Sequence, residues 1–165
     1  MKADVNITGL EGVLATLKSL PPEVVSKRGG PVKTALRKAA RVIHKEAQQN
    51  LDRVTSNQTE SGEQLSTGLL KKNFIVSRGK PPFDSKGERY LVRVRRKSYP
   101  RKGKTVTTLA TANLLEYGSS KQQAEPWLRP AFAAKAETAI LTARTELLKE
   151  IDKVTKKLAQ QNKGK

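Results

Sequence analysis

The chain has 165 residues, with 33 Lys and Arg against 15 Asp and Glu, and no cysteine. That length predicts a single domain over 1–165, with one core and no room for a second. Disulfides and thiolate-held metals are excluded, and no run of about 18 apolar residues exists to span a membrane. The formal charge of +18 creates self-repulsion that a partner must relieve: nucleic acid, an acidic protein surface or an anionic membrane. Hydrophobic residues make up 36% and aromatics 4%, so the core is expected to be lean, built from Leu, Val, Ile and Ala. Some stretches are expected to order only beside neighbouring subunits. The opening MKADVNITGLEG lacks the apolar core of a secretion signal, which fits a protein made and used in a cytosol.

In chain order, Val5 and Ile7 alternate with polar neighbours and predict a strand over 4–9. Leu10, Leu14 and Leu17 then predict a short helix, stopped by Pro21 and Pro22. Residues 26–30 (SKRGG) read as a hinge. From Pro31 onward Val32, Leu36, Ala40, Ile43, Ala47, Leu51 and Val54 recur every three or four positions, the mark of a long amphipathic helix. Its polar face carries Lys33, Arg37, Lys38, Arg41 and Lys45. The polar stretch 55–67 reads as a mobile loop. A helical turn over 68–72, a strand over 73–77 and a Gly/Pro connection over 78–87 follow.

Residues 89–97 form the best strand pattern. Tyr90, Val92 and Val94 share one face; Arg89, Arg93 and Arg95 take the other, with Leu91 the exception. A turn over 98–104 and a Thr-rich return strand over 105–111 complete a predicted β-hairpin with a basic tip. Residues 112–117 turn helical. Leu128, Phe132, Ala136, Ala139, Ala143, Leu147, Ile151, Val154 and Leu158 then predict a second long helix. Pro126 and Pro130 near its start set its direction, and its tail frays from about residue 160. The expected class is α+β: a small antiparallel β-sheet packed against two long α-helices, with a protruding basic β-hairpin. The last helix is expected to pack on that sheet rather than to form a coiled coil.

Nothing in the residues predicts catalysis. The single histidine, His44, sits mid-helix and reads as a surface or boundary residue. No cysteine nucleophile, G-x-S-x-G motif, phosphate loop or acidic cluster with metal-ligand spacing is present. No cofactor is expected. The densest local feature is basic: Lys86, Arg89, Arg93, Arg95, Arg96, Lys97, Arg101, Lys102 and Lys104 against the single acid Glu88. Such a stripe neutralises phosphates without reading sequence, or meets an acidic protein; the plainer reading is a solvated sheet edge. Glu116, Tyr117 and Gly118, then Pro126, Trp127, Leu128, Arg129, Pro130 and Phe132, read physically as a stiff turn. Gly118 permits a positive-φ exit from a helix, while Trp127 and Phe132 supply scarce aromatic area.

Three segments resemble the phage protein family named after gene product ten of coliphage HK-97. VNITGLEGVLATLKSLP (5–21) is similar to the family's opening. STGLLKKN (66–73) looks like its T-G-x-L-x-x-S element. LLEYGSS…AEPWLRPAF (114–132) resembles its E-[YF]-G-T…P-F-L-R-P-A signature. Asn73, Ser119 and Trp127 stand where Ser, Thr and Phe are usual. The order of the three elements also matches, so the resemblance covers nearly the whole chain. It implies a structural virion protein of the neck or tail of long-tailed phages, a tail-completion component at the head–tail junction. The expected partners are further copies of itself in a ring, a hexamer being one such closure, the neighbouring neck and tail proteins, and the packaged DNA. It would be made in the host cytoplasm and end in the virion. A stand-alone, sequence-nonspecific nucleic-acid-binding protein is the alternative, resting on charge alone.

Overall fold

The computed structural model describes residues 30–57, 68–80, 87–101 and 103–163. The strand expected over 4–9, the helix carrying Leu10, Leu14 and Leu17, most of the hinge, residues 58–67, Lys86 and Lys102 lie outside them. Pro31 opens helix α1 (Pro31–Asn57), where its missing N–H is harmless and its fixed φ is already helical. Helix α2 (Leu69–Asn73), strands β1 (Phe74–Gly79), β2 (Arg89–Val94), β3 (Ser98–Arg101) and β4 (Lys104–Thr107), and helices α3 (Thr108–Tyr117) and α4 (Leu128–Lys163) follow. The class is α+β: two antiparallel two-stranded sheets, β1–β2 and β3–β4, beside a long helix pair.

The two long helices pack on each other. Lys38 pairs with Glu146 at 2.5 Å and Glu46 with Lys135 at 3.7 Å, while Asn50 donates to the Trp127 carbonyl at 3.1 Å. Partners on α4 fall in number as those on α1 rise, so the helices run antiparallel. Ala35, Ala39 and Ala47 of α1 and Ala131 and Ala139 of α4 are buried. Small side chains allow close helix approach, which is how a chain with so few aromatics builds a core. Here the expectation that α4 packs on the sheet is corrected. The strands β1 and β2 lie against α1, and α1 against α4. Polar residues 55–57, expected in a loop, stay helical. The Thr55 hydroxyl bonds back to the Leu51 and Asp52 carbonyls and that of Ser56 to Asp52, as such side chains do within a helix. Helix α4 runs to Lys163.

In the first sheet Phe74 faces Val94, Val76 faces Val92 and Arg78 faces Tyr90. These share one face. Phe74 is buried and Val92 and Val94 pack on the core, so that face looks inward while Arg89, Leu91 and Arg93 look outward. The strand alternation read from the sequence is the one found. The expected basic-tipped hairpin is present with other bounds: Ser98–Arg101 pairs with Lys104–Thr107, while residues 89–97 do not pair with 105–111. Strand β2 pairs with β1, and a separate ribbon sets Ser98 opposite Thr107 and Arg101 opposite Lys104. The chain leaves the first sheet after the Arg95 N–H bonds the Asn73 carbonyl at 2.7 Å. Thr107 then caps α3, its hydroxyl accepting the Ala110 N–H at 3.2 Å. Threonine favours strands, but here capping wins and turns residues 108–111 helical.

Where α1, β1, α3 and the start of α4 meet, Ala47, Leu51, Phe74, Ala112, Leu115, Trp127 and Ala131 form the core cluster. The Trp127 ring meets Phe74 edge-on, with centroids 4.9 Å apart, and His44 stacks on the other side of Phe74 at 4.5 Å. His44 Nε2 lies 3.0 Å from the Phe74 carbonyl. A carbonyl only accepts, so Nε2–H is the donor. The Trp127 indole N–H has no partner among the described residues, so the ring acts through its area and shape. Trp127→Ala should therefore cost about 3–5 kcal/mol. Trp127→Phe should cost only about 1–2 kcal/mol, since it also removes an unbonded donor. Urea unfolding of the two variants checks this; equal losses would mean the indole N–H matters.

Candidate functional site

Three features outside the bare core carry the chemistry of this chain. The first is built by Glu116, the penultimate residue of α3. Its carboxylate accepts the backbone N–H groups of Trp127 and Leu128, each at 2.9 Å, and of Arg129 at 3.0 Å. Arg129 adds its Nε at 2.9 Å and returns a terminal nitrogen to the Glu116 carbonyl at 2.9 Å. A helix start leaves four N–H groups without internal partners. Helix α4 begins at Leu128, so these belong to residues 127–130. Glu116 takes three, and the fourth position is Pro130, which has none to offer. The negative charge also lies at the positive end of the helix dipole.

Gly118 makes the reach possible. Its φ is +72, and its N–H closes α3 on the Leu114 carbonyl at 2.8 Å. A Cβ there would lie 2.7 Å from the Ala124 nitrogen and 2.8 Å from the Gln122 oxygen, so only glycine fits. The chain then folds back, Glu125 N–H bonding the Leu115 carbonyl at 2.8 Å. The expected stiff turn is therefore present, with a role for Glu116 that the residues alone did not show. Its donors lie 11–13 positions away, beyond any local periodicity. Not every residue of the segment is buried. Trp127 is 1% exposed, but Tyr117 is 65% and Phe132 44% exposed. Tyr117 instead lies under the Arg129 guanidinium, 4.9 Å from its ring centre, and Pro126 and Pro130 face solvent. Phe132 is thus corrected from core aromatic to surface residue, because Ala131 beside it takes the face toward α1.

The second feature is the basic face. Arg89, Arg93, Arg95, Arg96, Lys97 and Lys104 are exposed and Arg101 is half-buried. The Thr108 side chain, fully buried, fixes the backbone that carries three of them. Its hydroxyl donates to the Arg95 carbonyl at 2.7 Å and accepts the Lys97 N–H at 2.9 Å. Its own N–H bonds the Lys97 carbonyl at 2.9 Å. Tyr90 lies on the inner face and the Tyr99 hydroxyl bonds Thr111 at 2.6 Å, so neither ring is free to stack on a base. Glu88, the one acid of the basic stretch, is already engaged. Arg78 grips both its oxygens at 2.8 Å and Lys33 lies at 3.4 Å. Burial pushes its pKa up, but these two cations outweigh burial and hold it below the ordinary range.

The third is an apolar groove of about 850 Å³ between α1, β2 and α4, lined by Leu36, Ile43, Leu91, Phe132, Ile140 and their neighbours. Leu36 and Ile43 belong to the stripe read from the sequence, yet Ala35 and Ala39 are the buried residues of that stretch. Among the described residues no group of three or more His, Asp or Glu is placed to hold a metal. No described helix is long and apolar enough to cross a membrane. Comparison with protein-family models, with curated proteins and with solved structures gives no match.

The Glu116 clamp generates a pH signature. Burial raises the carboxyl's pKa, but the three backbone N–H groups and Arg129 outweigh that and hold it below the usual range. A depressed folded pKa contributes stability that is complete above the unfolded value, near about 4.3, and is lost as pH falls through the folded one. Glu116→Gln should thus cost roughly 2–4 kcal/mol at neutral pH, and the gap from the wild type should shrink below about pH 4. Urea unfolding across pH checks this. A gap that stays constant into acid would show that the charge of Glu116 plays no part.

Proposed function

We propose that this chain is a structural virion protein of a tailed bacteriophage, a neck or tail-completion component that assembles as a ring at the head–tail junction. What carries the reading is the ordered resemblance of segments 5–21, 66–73 and 114–132 to one phage family. The physical behaviour of the third segment is in keeping with it. Glu116, Gly118, Trp127, Arg129 and Pro130 act as one unit that launches a 36-residue helix, a scaffolding role rather than a chemical one.

A ring is closed by repeating one heterologous contact. Phe132 at 44% exposure, Leu141 at 55% and Leu148 at 41% put apolar surface on α4, the kind of surface an interface covers. The partners are further copies of the chain and the adjoining neck and tail proteins. The protein would be made in the host cytoplasm and carried into the virion.

Negative-stain images and the native mass of the purified protein, together with immunodetection in finished virions, test the reading. Closed rings and a place at the neck or tail are expected. A strictly monomeric protein absent from virions would overturn it.

A further inference from the structure

The described residues hold ion pairs throughout the molecule, and the cations come from α1, α2, β1 and α4. None comes from the described residues of 89–104. Arg89, Arg95, Arg96, Lys97 and Lys104 are exposed, with no acidic partner among the described residues. Arg93 is held by Ser77, whose hydroxyl accepts its Nε at 2.8 Å, and it too has no acid among the described residues. Among the described residues no acid compensates their charge, although several acids elsewhere are held in pairs.

We propose that the outward face of β2 and the bend that follows it form a binding surface for the phosphate backbone of duplex DNA. The inference assigns the surface by which the proposed neck component meets DNA and rests on that reading for its biological setting. Three observations support a phosphate-binding surface, and the first of them weighs against an acidic protein. Protein interfaces rely on an apolar centre from which charge is depleted. Here the outward positions of the first sheet are Ile75, Ser77, Gly79, Arg89, Leu91 and Arg93, and its two large apolar members are half-buried. Arginine dominates the surface, and its planar fork matches phosphate oxygens. The bend is also fixed in advance by the buried Thr108, which lowers the ordering cost of binding. Arg89 and Arg93 stand about 14 Å apart on one strand face. A duplex offers a charge roughly every 1.7 Å of its axis, so the surface meets phosphates in any register and reads no sequence.

The test is fluorescence anisotropy of a labelled mixed-sequence duplex with the full-length protein at rising salt. Log affinity should fall against log salt with a slope of about −4.5 to −5.5, as five or six phosphate contacts require. Replacing Arg89, Arg93, Arg95, Arg96 and Lys97 together by Gln should weaken binding at least about 100-fold and flatten the slope. Removing the same charge elsewhere, by Gln at Lys121, Arg144, Lys149, Lys156 and Lys157, should cost less than about tenfold. Arg89→Gln and Arg96→Gln singly should each reduce the slope by about one, which keeps the test alive if the multiple variant fails to fold. Equal losses in the two charge-matched variants would overturn the inference, leaving net charge alone. So would poly-glutamate that binds as tightly as DNA through the same residues, which would make the partner an acidic protein. The readout needs only the purified chain, so DNA binding can fail while ring assembly stands, and the reverse.

Discussion

A single carboxylate organises the start of the longest helix. Glu116 at the end of α3 takes the three available N–H groups of the first turn of α4, and Pro130 removes the fourth. The contact is nearly dry on the Glu side and open on the Arg129 side, with side-chain exposures of 6% and 59%. The backbone donors therefore contribute more than the solvent-screened ion pair. Everything downstream depends on where this clamp aims α4. The helix must leave Trp127 buried against Phe74, and it must bring Ala131 and Ala139 close to the Ala-lined face of α1. A core with so little aromatic area depends on such close approach, since small side chains fill no gap left by a misdirected helix.

The same economy divides the molecule into a held side and an open side. Acids are few, and among the described residues most that pair join elements: Glu46 and Glu146 between the long helices, Glu88 between α1 and the first sheet, Glu116 at the clamp. The cations of β2 and the bend after it are left without an acid among the described residues. Thr108 fixes that bend through two elements at once, so the leftover charge is displayed on a defined surface and not on a drifting loop. This face is thus one place where part of the net charge of +18 is displayed.

Much of this was legible in the sequence, and the rest has physical reasons for being hidden. Both long helices follow from apolar spacing, which persists for many turns. The inward and outward faces of β2 follow from alternation, which needs only the strand itself. The identity of β2's partner does not, because alternation fixes a face and not a neighbour. The Thr-rich stretch after Lys104 was readable as strand on propensity, yet Thr107 acts as a helix cap. The Ala-rich stripe of α4 suited either a sheet or a helix, and the smallness that points to α1 shows only when the two helices face each other. Gly118 was readable as a positive-φ exit. Glu116 was visible as part of a motif but not as a cap, since the amides it serves are brought near only by the fold-back that Gly118 permits.

The claim that Glu116 aims and holds α4 is most directly tested by amide hydrogen exchange at Trp127, Leu128 and Arg129. In the wild type these three amides should be protected to the level of a helix interior, although a first-turn amide ordinarily exchanges fast. In Glu116→Ala they should approach solvent rates while the amides of Ala47 and Leu51 keep their protection. Fast exchange at the three positions in the wild type, or protection unchanged in the variant, would contradict the account.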